Sequence, residues 1–353
     1  MLGMKSSQRR REMAAVADAD WETGQVENEQ RDHWIGFDLG GTKMLAVIFD
    51  ADFQIVGKKR KNTKGHEGPE AGLARIKQVI EGALEEAEIP MERIVGIGIG
   101  CPGPLDLDNG VVLETPNLGW RDVPVCHLLE RQFKVPVVLS NDVDAGVYGE
   151  YRLGAAQGAR CVVGLFPGTG IGGGCVTNGV IWRGKKLSCF EVGHMCVQPE
   201  GPICGCGRRG CLEAVASRLA ISAECAKAAY RGQAQHLQRI AGTDLANIRS
   251  GALAEAIQLG DTIVEEIVRE AARKLGCASG AIINLIAPDV LLLGGGLVEA
   301  LPGLFTEEVR RAAETQAMPA YRKSFKVAVA TLGDFAAVKG AAAWAQAVIA
   351  GRG

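Results

Sequence analysis

The sequence predicts an α/β protein made of two similar domains with a ligand cleft between them. Three observations predict it. A strand–strand–strand–helix–strand pattern occurs twice, first from His33 and again from Ala159. Each copy opens on a glycine-rich hairpin, "DLGGTK" at Asp38–Lys43 and "PGTGIGGG" at Pro167–Gly174. The second copy is interrupted by "EVGHMCVQPEGPICGCGRRGCLE", Glu191–Glu213, which gathers one histidine and closely spaced cysteines.

The elements follow in order. Residues 1–32 are polar and mixed in charge, and they read as a disordered or loosely helical leader. Residues 33–61 read as three antiparallel strands joined by a glycine turn and a short second turn. Residues 68–89 carry apolar side chains at Leu73, Ile76, Val79, Ile80, Ala83 and Leu84, the spacing of a helix with one buried face. The buried strand "IVGIGIG", a Pro-Gly loop, a helix near "VCHLLERQF" and the strand "PVVLSND" complete the first copy. The second copy repeats the three strands up to "VIWRGKK". After the cysteine segment come helices over 215–232 and 251–285, the strand "DVLLLGGGL", another helix, the strand "FKVAVATL" and a closing helix over 334–349. The domains are therefore expected at 33–155 plus 335–353 and at 156–334, with the metal segment at 191–213 inside the second.

Composition narrows the class. The chain has 353 residues, 47% hydrophobic and 23% charged, with a net charge of -2, which fits a globular protein with a substantial core. That balance offers no electrostatic footprint for nucleic acid or an anionic membrane. The first 33 residues lack an apolar secretion segment, and no run nears the roughly 18 apolar residues of a membrane helix. The 11 cysteines then imply a reducing cytoplasm and free thiols. Cys101, Cys161, Cys175 and Cys277 are expected as small buried hydrophobes.

The motifs point to phosphate and sugar chemistry. In the first turn Gly40 and Gly41 let backbone N–H groups converge on an anion, and Thr42 and Lys43 add donors. Gly168, Thr169, Gly170 and Gly172 repeat the arrangement. Both turns lead into a strand, which separates them from the P-loop and from the dinucleotide fingerprint. Gly294, Gly295 and Gly296 end a strand and read either as a flat surface under a purine or as close helix–sheet packing. "SND" ends another strand. Asp142 is placed either to take a proton from a hydroxyl or, with Asn141, to cap a helix starting near Ala145. Asp144 competes, but helix geometry should turn it elsewhere. His194, Cys204, Cys206 and Cys211 complete a tetrahedral zinc set, and four protein ligands leave no position open for catalysis, so the site reads as structural. Glu191 and Glu213 flank it, as surface charges or as acceptors for sugar hydroxyls.

Taken together, "DLGGTK", "GCPGPLD", "NLGW", "ND", "GTGIGGG", "EVGH", "CGCGRRGCLE" and "LLLGGG", in this order across residues 33–353, resemble the ROK family and within it the bacterial glucokinases. The resemblance implies an actin-like (ribonuclease H-like) two-domain fold that closes on sugar and ATP. It implies that Asp142 is the general base, that Asn141, Glu191, His194 and Glu213 touch the sugar, and that Asn117 reaches the same pocket. It implies that the zinc histidine turns its other ring nitrogen to the sugar, that both glycine turns hold ATP phosphates, that Asp38 lies near Mg²⁺ and that Gly294–Gly296 lie near adenosine. A homodimer or homotetramer is expected on the same ground. Val192 and Glu200 depart from the family's usual residues beside the sugar loop, which leaves N-acetylhexosamine, mannose or fructose as alternatives to glucose.

Other classes fit less well. A repressor relative needs an N-terminal winged helix of about 60–80 residues, the size of a small domain, and a non-catalytic sugar sensor has no use for Asp142.

Overall fold

The computed structural model describes residues 31–115, 118–185 and 188–351. The leader, save its last two residues, and Asn117 lie outside the described residues. All the described strands and helices belong to the unit from Asp32 onward.

Two five-stranded sheets share one topology. The first is built from β1 (His33–Leu39), β2 (Lys43–Phe49), β3 (Ile55–Asn62), β4 (Ile94–Cys101) and β8 (Val137–Asn141), in the order β3-β2-β1-β4-β8. The second, from β9 (Cys161–Pro167), β10 (Ile171–Thr177), β11 (Val180–Ile181), β12 (Val290–Leu293) and β13 (Lys326–Val329), runs β11-β10-β9-β12-β13. In each, the first three strands are antiparallel and the last two join in parallel. The central strands β1 and β4 are buried along nearly their whole length, and β4 reads as a continuous apolar run. The edge strand β3 is exposed at all but one residue, and its "KKRK" run keeps the open edge solvated.

Several boundaries differ from the sequence-based expectation. The third strand of the second copy shrinks to Val180–Ile181. The helix expected over 215–232 is two, Leu212–Ala216 and Arg218–Tyr230, because Ser217 caps the second by accepting from Ala220 N–H at 3.2 Å. The helix expected over 251–285 breaks at Gly260, whose φ of 104° no helix admits, into Ser250–Gln258 and Thr262–Ile286. A small sheet of β5 (Leu105–Asp106), β6 (Val111–Thr115) and β7 (Trp120–Val123) and a helix at Gln235–Ala241 are additions to the expected elements. Cys101, Cys161 and Cys175 are buried, but Cys277 lies on the exposed face of its helix. No described helix is long and apolar enough to cross a membrane.

Each sheet has its own core, and a third core joins them. It holds Trp34 and Val47 from the first sheet, Val162, Val290 and Leu292 from the second, and Val147, Tyr148 and Trp344 from two helices, Asp142–Leu153 and Ala336–Ala350. Tyr148 and Trp344 meet edge to face at 5.1 Å, and burying such side chains contributes about 1.5–3 kcal/mol each. The two helices cross in near backbone contact, since a Cβ on Gly340 would come within 1.6 Å of the Ala145 carbonyl. The helix that begins at Asp142 is thereby fixed against both sheets.

Candidate active site

The parallel strands bring two carboxylates together. Asp38 of β1 is opposite Gly100 of β4, and Gly100 is opposite Ser140 of β8. Asp142 follows one residue beyond the end of β8, and its Cα would sit 3.4 Å from a Cβ on Gly100. Asp38 and Asp142 thus flank a bare glycine at the carboxyl ends of three parallel strands, where open α/β sheets bind ligands. Burial and then the charge of Asp142 push Asp38 up to about 7. Burial raises Asp142 as well, opposed by its hydrogen bond from Val143 N–H at 2.9 Å.

The helix starts at Asp142 rather than near Ala145, and Asn141 is its cap, accepting from Val143 N–H at 2.9 Å and Asp144 N–H at 3.2 Å. Asn141 therefore holds the helix end, and Asp142 shares one of its donors, Val143 N–H, beside Gly100. Asp144 points elsewhere than Asp142, into a buried place on the second sheet. It is 1% exposed, neither carboxylate oxygen has a partner among the described residues, and it lies over Gly174 of β10. Burial and then the charges of Asp142 and Glu191 push it up to about 8. The i,i+2 spacing conceals this, because β10 supplies a glycine face into which the side chain fits.

The two glycine turns are braced differently. In the first, the Gly40 carbonyl accepts from Thr63 Oγ1 at 2.6 Å, and Thr63 N–H donates to the Thr42 carbonyl at 2.8 Å. Thr42 and Lys43 remain exposed. In the second, Glu213 accepts from Ile171 N–H at 3.0 Å, Arg218 N–H donates to the Gly168 carbonyl at 2.8 Å, and the Arg218 guanidinium donates to Thr169 Oγ1 at 2.7 Å. A Cβ on Gly170 would meet the Glu213 carboxylate at 2.3 Å. Gly172 is occupied from behind by Val143.

A cavity of about 390 Å³ opens beside Arg218, lined also by Leu245, Ala246, Arg249, Ser250 and Gly251. Gly296 reaches it, its missing Cβ 3.5 Å from Ser250 Oγ. Gly294 is filled by the Phe166 ring, so of the three glycines only Gly296 keeps open space. Arg218 and Arg249, two cations at one opening, carry no sequence signal, since neither sits in a glycine motif.

The metal set converges. His194, Cys204, Cys206 and Cys211 offer ligand atoms all within 4.8 Å of one another. The Cys204 Sγ–His194 Nδ1 and Cys206 Sγ–Cys211 Sγ separations are both 3.7 Å. A tetrahedral zinc with bonds of about 2.0–2.3 Å needs ligand–ligand edges of about this length. Backbone and guanidinium N–H donors of Arg208 push Cys206 down to about 6, toward the thiolate that binds metal. With Nδ1 facing the thiols, Nε2 is the nitrogen left for another partner. Glu213 ties this cluster to the second glycine turn, for its other carboxylate oxygen lies 3.6 Å from Cys204 Sγ.

Glu191 is exposed and follows Phe190, whose φ of 68° is rare for a bulky residue. Val192 and Glu191 both line an apolar cavity. The Val192 side chain is buried against Gly173, and the cavity, of about 440 Å³, lies between Trp182, Phe190, Met195 and the helix Thr262–Ile286. Glu200 is exposed.

The ROK family model matches residues 34–348. The chain belongs to the ROK family. It is 34% identical over 310 residues to a glucokinase of Thermotoga maritima, covering 87% of this chain and 95% of that one. A ROK glucokinase from Streptomyces griseus, solved in complex with glucose and AMPPNP, superposes with a TM-score of 0.77 at 31% identity, covering 89% of this chain and 99% of that one. The family also contains repressors. A xylose repressor of Caldicellulosiruptor bescii is 28% identical over 306 residues, which span 76% of its length.

Proposed function

We propose that this ROK protein is an ATP-dependent hexose kinase that phosphorylates glucose at the 6-hydroxyl. The observation that carries the reading is the pair Asp38 and Asp142 on either side of Gly100, at the carboxyl ends of β1, β4 and β8. Asp142 takes the proton of the primary hydroxyl as that oxygen attacks the γ-phosphorus in line. Its raised proton affinity brings it nearer the working pH of a base. Phosphoryl transfer proceeds through a loose transition state, so positioning and charge neutralisation carry most of the catalysis. The backbone amides of the two glycine turns, with Lys43 and Arg218, supply that neutralisation. A carboxylate pushed up to about 7 beside a second one fits a hard divalent cation, so Asp38 would hold Mg²⁺. When bound, the ion adds positive charge at the phosphates.

The sugar lies between Asp142 and the loop bearing Glu191 and His194. The donor set and its 3.7 Å spacings support a structural zinc at His194, Cys204, Cys206 and Cys211, with His194 Nε2 turned to the sugar. Asn141, which also caps the helix, Glu213, which also braces the second glycine turn, and Asn117 are retained as sugar contacts. The adenosine end is assigned to the cavity at Arg249, Ser250 and Gly296. The two sheets are assigned to two lobes of an actin-like fold. Glucose is placed first because glucokinases are the relatives at 34% and 31% identity.

The test is kcat/KM for glucose, mannose, fructose, N-acetylglucosamine and N-acetylmannosamine with ATP, repeated with polyphosphate. Glucose should lead. A tenfold advantage for N-acetylglucosamine would displace glucose but keep the kinase.

A further inference from the structure

Between Asp32 and Gly351 the chain passes between the two sheets twice. The first crossing follows the helix Asp142–Leu153 into β9, and the second runs from β13 into the helix Ala336–Ala350. One side chain holds both crossings. Glu150 is 0% exposed. Its Oε1 accepts from Thr331 N–H and Leu332 N–H, both at 2.7 Å, and its Oε2 accepts from Ala155 N–H at 2.8 Å and Thr331 Oγ1 at 3.2 Å. Its backbone carbonyl takes Gly154 N–H at 3.1 Å and Ala156 N–H at 3.0 Å. Three consecutive amides of the first crossing and two of the second thus end on one residue. Gly154 leaves room for this, because a Cβ there would fall 2.1 Å from Glu150 Oε2.

A buried carboxylate with four donors is held far more firmly than one hydrogen bond would hold it. Nothing in the proposed chemistry needs it, for it lies at the opposite end of the helix that begins with Asp142. Its partners are all in the two connecting segments. Such element-terminal segments are where a two-lobed protein absorbs the backbone rotation of closure.

We propose that Glu150 is a positioning residue, the pin that ties both inter-sheet crossings to the helix carrying Asp142 and fixes the axis about which the sheets close. The proposal rests on the kinase reading for its kinetic consequence, but not for its mechanical one. The turn Pro167–Gly174 already packs on the start of the helix through Val143 on Gly172, so a loosened pin lets the sheets shift about that helix and misplaces phosphate relative to base. A misplacement of about 1 Å costs on the order of 10²-fold in rate.

The experiment compares wild type with Glu150→Gln, Thr331→Val and Thr331→Ser. It measures kcat and KM for glucose, the thermal midpoint, and the glucose-induced change in radius of gyration by X-ray scattering. Glu308→Gln is the control: Glu308 is 5% exposed and bound by Arg269 and Arg311 in a helix pair remote from both crossings. Glu150→Gln should lower kcat by about 10²-fold and abolish the sharp glucose-induced contraction while staying folded at the assay temperature. Thr331→Val should move both readouts part of the way, and Thr331→Ser, which keeps the hydroxyl, should restore them. Glu308→Gln should lower the thermal midpoint alone. Should Glu150→Gln fail to fold, the Val/Ser pair at Thr331 decides. Normal kcat and normal contraction in Glu150→Gln, or in Thr331→Val if only that variant folds, would overturn the pin. So would a wild type that does not contract with glucose. Absence of hexose turnover in wild type with contraction intact and lost in the variants would overturn the kinase reading and leave the pin standing.

Discussion

The two ends of the helix Asp142–Leu153 hold buried carboxylates in opposite conditions. At the far end Glu150 takes four donors. At the near end Asp144 is 1% exposed with both oxygens unpartnered among the described residues, and burial beside Asp142 and Glu191 pushes it up to about 8. Burial is common to both; the supply of donors is not. Leaving a buried polar group unpaired costs about 1–3 kcal/mol, and the chain accepts that cost at the end that carries Asp142. The anchored end sets geometry, and the under-satisfied end keeps Asp144 protonated beside Asp142, the carboxylate that is to take a proton.

The largest expected effect falls at the near end. Asp142→Asn should lower kcat by about 10²–10⁴-fold with sugar affinity changed far less and the fold intact by circular dichroism. Normal kcat there, with loss in Asp144→Asn instead, would reverse the roles of the two acids. Next in size is the metal loop. Cys206→Ser should lose zinc, read by metal analysis, and should weaken glucose binding about tenfold or more by calorimetry, because metal-ligand energy is folding energy for the loop that carries His194 and Glu213. The lobes keep their own cores and should stay folded. A zinc-free protein with full glucose affinity would detach the cluster from the site.

Asp144→Asn sharpens the comparison through pH. The folded carboxyl titrates near 8 and the unfolded one near 3.9. Below about pH 4 both are neutral. Between about 4 and 8 the unfolded chain has released the proton and the folded chain has kept it, so wild-type stability falls as pH rises, and above 8 the loss levels off. The stability advantage of Asp144→Asn should therefore grow from pH 5 to pH 8, by at most about 1.4 kcal/mol per unit, measured by urea unfolding. An advantage independent of pH would mean that Asp144 is ionised throughout.

The smallest effect is expected from a satisfied carboxylate away from the crevice. Asp261 accepts from Leu237 N–H at 2.7 Å and His236 N–H at 3.3 Å. Asp261→Asn should cost about 1 kcal/mol of stability with no change in kcat. A change in kcat would show that satisfied buried carboxylates are not confined to structure.

Much of this is legible in the sequence, for particular reasons. The apolar run of β4 and the two glycine hairpins are local signals, and they specify the doubled topology. The metal ligands are legible because close cysteine spacing with turn glycines brings thiols together whatever surrounds them. What escapes depends on partners distant in sequence. Glu150 looks like any helical glutamate until residues 331–332 arrive beside it, 181 and 182 positions on. That Asp144 turns elsewhere than Asp142 is legible from helix geometry, but its burial is not, because nothing in "NDVDAG" announces the glycine face of β10. Arg218 opens one helix and Arg249 precedes another, and only folding places them at one opening. The break at Gly260 is a signal present but outweighed by the apolar period on either side.

The most direct measurement is product analysis of the wild-type protein with glucose and ATP by phosphorus NMR, alongside calorimetric glucose binding. Glucose 6-phosphate and ADP are expected in equal amounts. Tight glucose binding with no phosphorylated sugar from any hexose would contradict the kinase reading.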